Sequence, residues 1–258
     1  MSKISSTYAY FDISDFIRPL TIYWVKRISK YSFFNAKRIT TIFIFFGLSA
    51  AYLIYKESLF LAALFLQIKN FLDAADGEWA RQNNRPSYVG RYYDSFGDFL
   101  CNVSMHVAIY KVTDAPLYLL YLGILLSHLQ VSLNVYYNLV YIHQSKNTSL
   151  SRLNEFEKPV GYEYDNKYAL TILHFLFLII YSWQDKIIQV LNKKSEKKPL
   201  SKLFMSVISI LGLGSQLLIT SILLVLDCLH LYWLINIWGL SIIGVAVMLY
   251  RAIKKRLK

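Results

Sequence analysis

Cysteine, glycine and proline are all scarce in this sequence of 258 residues. It contains 2 Cys, 10 Gly and 5 Pro, while 55% of its residues are hydrophobic. Such a chain is too apolar for an ordinary soluble domain and too regular in pattern for a disordered one. The two cysteines, Cys101 and Cys228, lie in separate apolar segments without a CxxC partner, which disfavours both a zinc site and a disulfide.

Several functional motifs are also missing. The sequence has no glycine-rich phosphate loop, and none of its 5 His belongs to an HxxxH metal-ligand pair. The first residues, MSKISSTYAYFDISDF, lack the apolar core of a signal peptide. We therefore expect the chain to enter the membrane through internal helices.

Long apolar segments are the main feature that the sequence does have. A helix that crosses a bilayer needs about 20 apolar residues. Residues 12–31 mix apolar and basic residues at helical spacing, which predicts an amphipathic helix lying in the membrane interface. The expected fold is an all-α polytopic membrane protein in which this interfacial helix precedes six transmembrane helices. The six segments lie at about 39–55, 59–80, 91–112, 116–142, 203–226 and 231–250.

The positions of Lys and Arg predict the orientation. Seven of them fall within residues 1–38, ten within 143–202 and five within 251–258. Basic residues concentrate in cytoplasmic loops, so both termini are expected on the cytoplasmic face of the cell (inner) membrane. This holds only if the apolar residues 168–184 make no net crossing, and we expect them to be interfacial or re-entrant. The chain then divides into a cytoplasmic N-terminus and a six-helix domain over residues 39–258.

The net charge of +12 at pH 7 also raises the question of nucleic acid. The basic residues lie at the ends of apolar runs, as expected beside anionic lipid. No basic face with interleaved aromatic residues is apparent. We therefore expect membrane lipid as a partner and no nucleic acid.

The stretch DAADGEWARQNNRPSYVGRYYDSFGD, residues 73–98, carries the densest group of charges. Ionisable side chains at membrane depth are costly and usually mark function. Two sets of residues recur at helical spacing, so that each set occupies one face of one helix. The first set is Asp73, Asp76, Gly77, Ala80 and Arg81, and the second is Gly90, Asp94 and Asp98.

Two antiparallel helices with these faces would bring four carboxylates together. Close carboxylates repel each other, and divalent cations such as Mg²⁺, Mn²⁺ or Ca²⁺ relieve the repulsion. The small residues Gly77, Ala80 and Gly90 let a ligand approach the backbone, and Arg81 is suited to phosphate. The pattern indicates a site for a phosphate-bearing ligand with two metal ions, rather than solvated charges on a loop.

Nearby charged residues have two interpretations each. Glu78 either contacts the nucleotide or faces solvent. Arg85 and Arg91 either bind a donor or acceptor phosphate or serve as cytoplasmic anchors. Arg152 and Lys158, in the connection 143–202, are weaker candidates for the acceptor site.

The spacing D-x2-D-G-x2-A-R-x8-G-x3-D-x3-D resembles the motif of the CDP-alcohol phosphotransferase (CDP-alcohol phosphatidyltransferase) family, without substitution. The resemblance implies an interfacial helix, six transmembrane helices and a motif at the cytoplasmic ends of the second and third spans. Dimers are common in the family. The chain departs from it before the first span, where residues 35–40 read NAKRIT instead of the frequent Thr-Pro-Asn-x-x-Thr.

The resemblance also implies a role for each motif residue. Asp98 would be the general base that deprotonates an acceptor hydroxyl, and CMP would leave. The metal ligands, for two Mg²⁺ or Mn²⁺ ions, would be Asp73, Asp76, Asp94 and Asp98. The nucleotide site would comprise Asp73, Gly77, Ala80, Arg81 and Gly90.

Three functions are compatible with these residues. We favour a phosphatidyltransferase that moves phosphatidyl from CDP-diacylglycerol to a small polar alcohol, because the chain is compact. A second enzyme type would transfer the phospho-head group of a CDP-aminoalcohol to a lipid hydroxyl, using the same CDP and metal site. The third is a cation transporter that uses the Asp cluster, although Arg81, Arg85 and Arg91 would repel a permeating cation.

Overall fold

The computed structural model describes residues 9–31, 33–146, 156–192 and 199–253, and these contain helices and no strands. A short 3-10 turn, Ile13–Asp15, precedes the first helix. The α-helices are α1 (Arg18–Ile28), α2 (Ala36–Tyr55), α3 (Leu59–Gln82), α4 (Tyr88–Val112), α5 (Leu117–Lys146), α6 (Lys167–Phe177), α7 (Trp183–Asn192), α8 (Lys202–Ser209), α9 (Leu213–Val225) and α10 (Leu240–Ile253).

Each of the six predicted apolar segments forms helix, and local sequence explains the boundaries beside the acidic motif. After α3 the chain reverses at Asn84, whose φ of 49° lies in the left-handed region that Asn tolerates better than most residues. Pro86 follows and cannot continue a helix. Ser87 then caps α4, because its hydroxyl oxygen accepts a 2.8 Å hydrogen bond from the Gly90 N–H.

Four helical stretches in the described part of the chain are long and apolar enough to cross a membrane. The pair α8 and α9, bent by 50°, would add a fifth. Helices α3 and α4 are not in this group and carry the charges of the acidic motif. The chain is thus an all-helical protein with several apolar helices, and the count of six spans stays a prediction. The four stretches are Ala36–Tyr55, Leu117–Ser145, Lys167–Asn192 and Leu229–Arg251.

The segment predicted to be interfacial or re-entrant, 168–184, belongs to a longer helical stretch. Helices α6 and α7 are joined by a π-helical segment, Leu178–Ser182, without a break. Segments of this kind are often inserted within α-helices. The stretch is long enough to cross a membrane, so its length alone does not determine its course.

Helix α2 packs against both α3 and α4, and this arrangement positions the acidic motif. Two glycines permit the close approach of α2 and α4. A Cβ on Gly47 would lie 2.4 Å from the Cys101 sulfur, and one on Gly97 would lie 2.7 Å from the Ile44 side chain. Small residues commonly let membrane helices pack this closely.

Helix α1 lies along α3 at the end that carries the motif. Its buried side includes Thr21, Val25 and Ile28, and the Trp24 ring contacts Phe71 with centroids 5.2 Å apart. The opposite side exposes Tyr23. The amphipathic character of this helix and its location in the membrane interface stay predictions.

Candidate functional site

Helices α3 and α4 bring three of the four motif aspartates together. One carboxylate oxygen from each of Asp73, Asp76 and Asp94 lies within 4.8 Å of the others. Asp73 and Asp76 come from one face of α3, while Asp94 faces them from α4. Helical periodicity predicted that four carboxylates would meet; the structure groups these three, and Asp98 is not part of the group.

Two of these carboxylates show how the cluster is built. Asp76 is 5% exposed, and one of its oxygens accepts a 2.6 Å hydrogen bond from the hydroxyl of Thr40 on α2. The Oδ1 atom of Asp94 is buried and has no hydrogen-bond partner within the described ranges. A buried carboxylate oxygen without a partner is costly, and a bound cation would satisfy it.

This donor set fits a divalent cation. Mg²⁺ and Mn²⁺ prefer oxygen ligands, and here three carboxylates from two helices converge. Thr40 supplies the outer hydrogen bond that commonly orients a metal-binding carboxylate. The observation that decides the fit is the unpartnered buried oxygen of Asp94, a residue whose carboxylate lies in the same group as two others.

Asp98 lies one turn farther along α4 and has a different partner. The ammonium of Lys69 donates hydrogen bonds to Asp98 Oδ1 and, over 2.7 Å, to Asp73 Oδ2. The Lys69 side chain is 1% exposed, and its nitrogen lies 4.8 Å from the centre of the Phe43 ring. A buried lysine therefore links Asp98 to the carboxylate cluster.

Glu78 anchors the arginine of the motif. It is 3% exposed, so it does not face solvent. One of its oxygens, Oε2, accepts hydrogen bonds from Arg81 Nε (3.1 Å) and Nη2 (2.9 Å). Arg18 of α1 approaches the same oxygen at 3.4 Å, and Gln82 donates to the other over 2.9 Å. The position of the Arg81 guanidinium is therefore fixed by a buried carboxylate.

The small motif residues leave space beside these charges. The nearest atoms to a Cβ built on Gly77 would belong to the Arg81 guanidinium, at 3.4 Å, and the nearest to one built on Gly90 would belong to Ser87, at 3.3 Å. Ala80 is partly exposed on the same helix. Gly47 is tightly enclosed by the neighbouring helix, whereas these two glycines are not. The difference is consistent with a ligand that binds beside them.

The other predicted arginines differ in their surroundings. Arg85 is exposed in the turn between α3 and α4. The Arg91 guanidinium lies over the Tyr88 and Tyr92 rings, 5.3 and 4.9 Å from their centres. Of the weaker candidates, Lys158 donates to the Thr171 hydroxyl, and Arg152 lies outside the described residues.

The residues that precede α6 also contact this end of the bundle. Asp165 accepts hydrogen bonds from the Ser87 hydroxyl (2.5 Å) and the Tyr88 N–H (3.0 Å) at the start of α4. The Tyr162 ring stacks on Tyr88 with centroids 5.4 Å apart. These contacts hold the residues before α6 beside the turn that joins the two motif helices.

Sequence reasoning overlooked two residues of the site, Lys69 and Thr40. Lys69 occurs four residues before Asp73, inside a predicted span, and a charge at that depth is itself a signal of function. Thr40 closes the NAKRIT stretch, and nothing in the sequence indicates its bond to a residue 36 positions away.

The chain was compared with protein families, curated proteins and solved structures. The profile of the family described as CDP-alcohol phosphatidyltransferase matches residues 33–233. The matched range includes all eight motif residues and the two that sequence reasoning overlooked. No curated protein and no solved structure matches the chain.

Proposed function

Since the chain belongs to the CDP-alcohol phosphatidyltransferase family, we propose that it transfers a phosphatidyl group from CDP-diacylglycerol to a small polar alcohol, releasing CMP. The family as a whole transfers phosphate-linked groups from CDP-alcohols. The observation that carries the proposal is the convergence of Asp73, Asp76 and Asp94 within 4.8 Å. The reaction would supply phospholipid to the membrane in which the enzyme resides.

Asp73, Asp76 and Asp94 would hold a Mg²⁺ or Mn²⁺ ion. When bound, such an ion neutralises the carboxylates and stabilises charge on phosphoryl oxygens. The two-ion arrangement expected from the sequence would also require Asp98, together with Asp73, as a ligand. Lys69 donates hydrogen bonds to both of these carboxylates.

The protein residues would contribute orientation, charge and a proton acceptor. Asp98 accepts the proton of the acceptor hydroxyl, whose oxygen forms a bond to the β-phosphorus of the donor. The bond from that phosphorus to CMP breaks, and CMP leaves with the electron pair. Arg81, fixed by Glu78, faces the phosphates beside Gly77. Positioning and electrostatic stabilisation would account for most of the rate.

Gly90 and Ala80 would leave room for the nucleotide and its pyrophosphate. Arg85 is exposed beside the site and would contact a phosphate of donor or acceptor. Arg91 would do so from its position over the two tyrosine rings. A homodimer is a further proposal, which rests on the family alone.

The proposal includes six spans: α2, α3, α4, α5, the bent pair α8 and α9, and the helical stretch Leu229–Arg251 that contains most of α10. Both termini would then be cytoplasmic, in the cell (inner) membrane, as the distribution of basic residues predicts. The core at the opposite end of the bundle supports this arrangement. There Ile54, Ile109, Leu120, Leu224 and Leu229 cluster around the ends of successive helices.

In this arrangement the stretch from α6 to α7 stays on the cytoplasmic side. Its first part packs at the start of α4, where Leu170 clusters with Val89. Its last residue, Asn192, accepts a 2.7 Å hydrogen bond from the Tyr137 hydroxyl of α5. The two ends of the stretch therefore lie at the membrane depths of Val89 and Tyr137.

Helices α4 and α5 are in register where Phe99 contacts His128, with ring centroids 5.2 Å apart. Val89 precedes Phe99 by ten residues and Tyr137 follows His128 by nine. At about 1.5 Å per residue, the two positions lie at nearly the same depth. This supports an interfacial or re-entrant course without a net crossing.

A membrane assay tests the proposed reaction. Purified protein is incubated with Mn²⁺, a panel of small alcohols and CDP-diacylglycerol that carries a label in its CMP moiety. The release of labelled CMP is then measured. Release that depends on both Mn²⁺ and one alcohol, with a new phospholipid as product, is expected. Release from a CDP-aminoalcohol with diacylglycerol, and none from CDP-diacylglycerol, would favour the other enzyme type. An inactive Asp76→Asn variant serves as the control.

A further inference from the structure

Lys69 occupies the place that a second metal ion would need. Its ammonium donates to Asp73 Oδ2 over 2.7 Å and to Asp98 Oδ1. These carboxylates come from different helices, and no other lysine or arginine in the described part of the chain pairs with either of them. The ammonium therefore bridges α3 and α4, as a shared cation would.

The surroundings of Lys69 leave it little freedom to move away. The side chain is 1% exposed. The Phe43 ring lies 4.8 Å from its nitrogen, and even a methyl group on Gly47 would come within 3.3 Å of its Cγ. The cavity beside it, which Asp98 and Cys101 also line, measures about 10 Å³, room for one water molecule at most.

A second divalent cation on Asp73 and Asp98 would compete for the same oxygen lone pairs. It would also lie against the ammonium, and like charges at such a distance repel strongly. Asp76 and Asp94 are not subject to this competition, because Lys69 donates to neither. With Asp73, whose oxygens can serve two partners, they form the group that converges within 4.8 Å.

We propose that this enzyme binds one divalent cation, held by Asp73, Asp76 and Asp94, and that Lys69 acts as a built-in second cation. The ammonium offsets the charge of Asp98 and holds it beside the metal cluster. One oxygen of Asp98 is bound by Lys69, and the other would accept the proton of the acceptor hydroxyl. The inference rests on the proposed function, because it assumes a metal-dependent transferase.

The stoichiometry of Mn²⁺ binding tests the inference without an activity measurement. The full chain, purified in detergent, is titrated with Mn²⁺, and free Mn²⁺ is quantified by electron paramagnetic resonance. One ion per chain is expected for the wild type. Lys69→Met keeps the length of the side chain but removes its charge, so this variant should bind two. Lys111→Met, an exposed lysine on α4, should leave the value at one.

Each outcome bears on a separate claim. Two ions in the wild type, or one ion in both the wild type and Lys69→Met, would overturn the role of Lys69 while leaving the transferase proposal intact. No bound Mn²⁺ in the wild type would overturn the metal site itself. Even if Lys69→Met does not fold, two ions bound by the wild type would overturn the inference.

Discussion

Glu78 holds Arg81 through a single carboxylate oxygen, which accepts two guanidinium N–H groups at 3.1 and 2.9 Å. The pair lies one turn beyond the aspartate cluster on α3. Because the carboxylate is buried and also receives Arg18 and Gln82, its orientation is fixed before any substrate binds. In the proposed enzyme the Arg81 guanidinium would therefore meet a substrate phosphate in a position that is already fixed.

Glu78→Gln should weaken binding of the CDP donor. The amide keeps the volume and one acceptor but loses the charge, and hydrogen bonds to charged groups contribute about 1.5–3 kcal/mol. We expect KM for the donor to rise roughly tenfold or more by that measure, with a smaller change in kcat. Kinetics at varied donor concentration provide the measurement. Glu57→Gln, at an exposed position at the opposite end of α2, is the control and should leave KM unchanged.

Thr40→Val should lower metal affinity without displacing a ligand. Valine has nearly the shape of threonine but cannot donate to Asp76, and outer hydrogen-bond partners of metal ligands typically contribute roughly 10- to 100-fold in affinity. The dissociation constant for Mn²⁺, from the same titration, should rise by a factor in this range. Thr41→Val removes the next hydroxyl on the helix, which is exposed. Equal affinities for the two variants would contradict a supporting role of Thr40.

Asp98→Asn should abolish turnover while largely retaining CDP binding. An amide cannot accept the proton of the acceptor hydroxyl, and general base catalysis typically contributes roughly 10²- to 10⁴-fold. Stabilisation by CMP in the presence of Mn²⁺, followed as a shift in Tm, should persist. Loss of that shift would instead make Asp98 mainly a residue that holds the site together. Asp114→Asn, exposed beyond the end of α4, should have neither effect.

Cysteines introduced one at a time, with Cys101 left in its buried position, should reveal the course of the stretch from α6 to α7. In a Cys228→Ser background, Lys167→Cys and Leu191→Cys should both react with an impermeant maleimide from the cytoplasmic face. Both positions are exposed, and both ends of the stretch lie at similar depth. Asp227→Cys should react only from the opposite face. Labelling of the two ends from opposite faces would show that the stretch crosses the membrane.

The helices and the cluster were predictable from the sequence because they follow from local rules. Helical periodicity determines which side chains share a face, so Asp73 and Asp76 could be assigned to one side of α3. The same spacing assigned Asp94 to a matching face on α4. An antiparallel order of these two successive helices then required the two faces to meet.

The partners of these residues could not be predicted, because they depend on contacts between distant parts of the chain. Glu78 was left between two interpretations, since Arg18 lies 60 positions away. Thr40 lies on a third helix. The position of Lys69 one turn from Asp73 was visible, but only packing reveals that its ammonium also reaches Asp98.

Gly214 of α9 connects the packing of this helix to the ion pairs at the acidic motif. A Cβ at this position would approach the Ser14 carbonyl oxygen to 2.0 Å, so the N-terminal turn rests directly on the backbone of the bent helix pair. The next residue, Asp15, pairs with Arg18, and Arg18 pairs with Glu78. A single methyl group added to Gly214 would therefore displace the turn that supports Arg18 and, through Glu78, the position of Arg81.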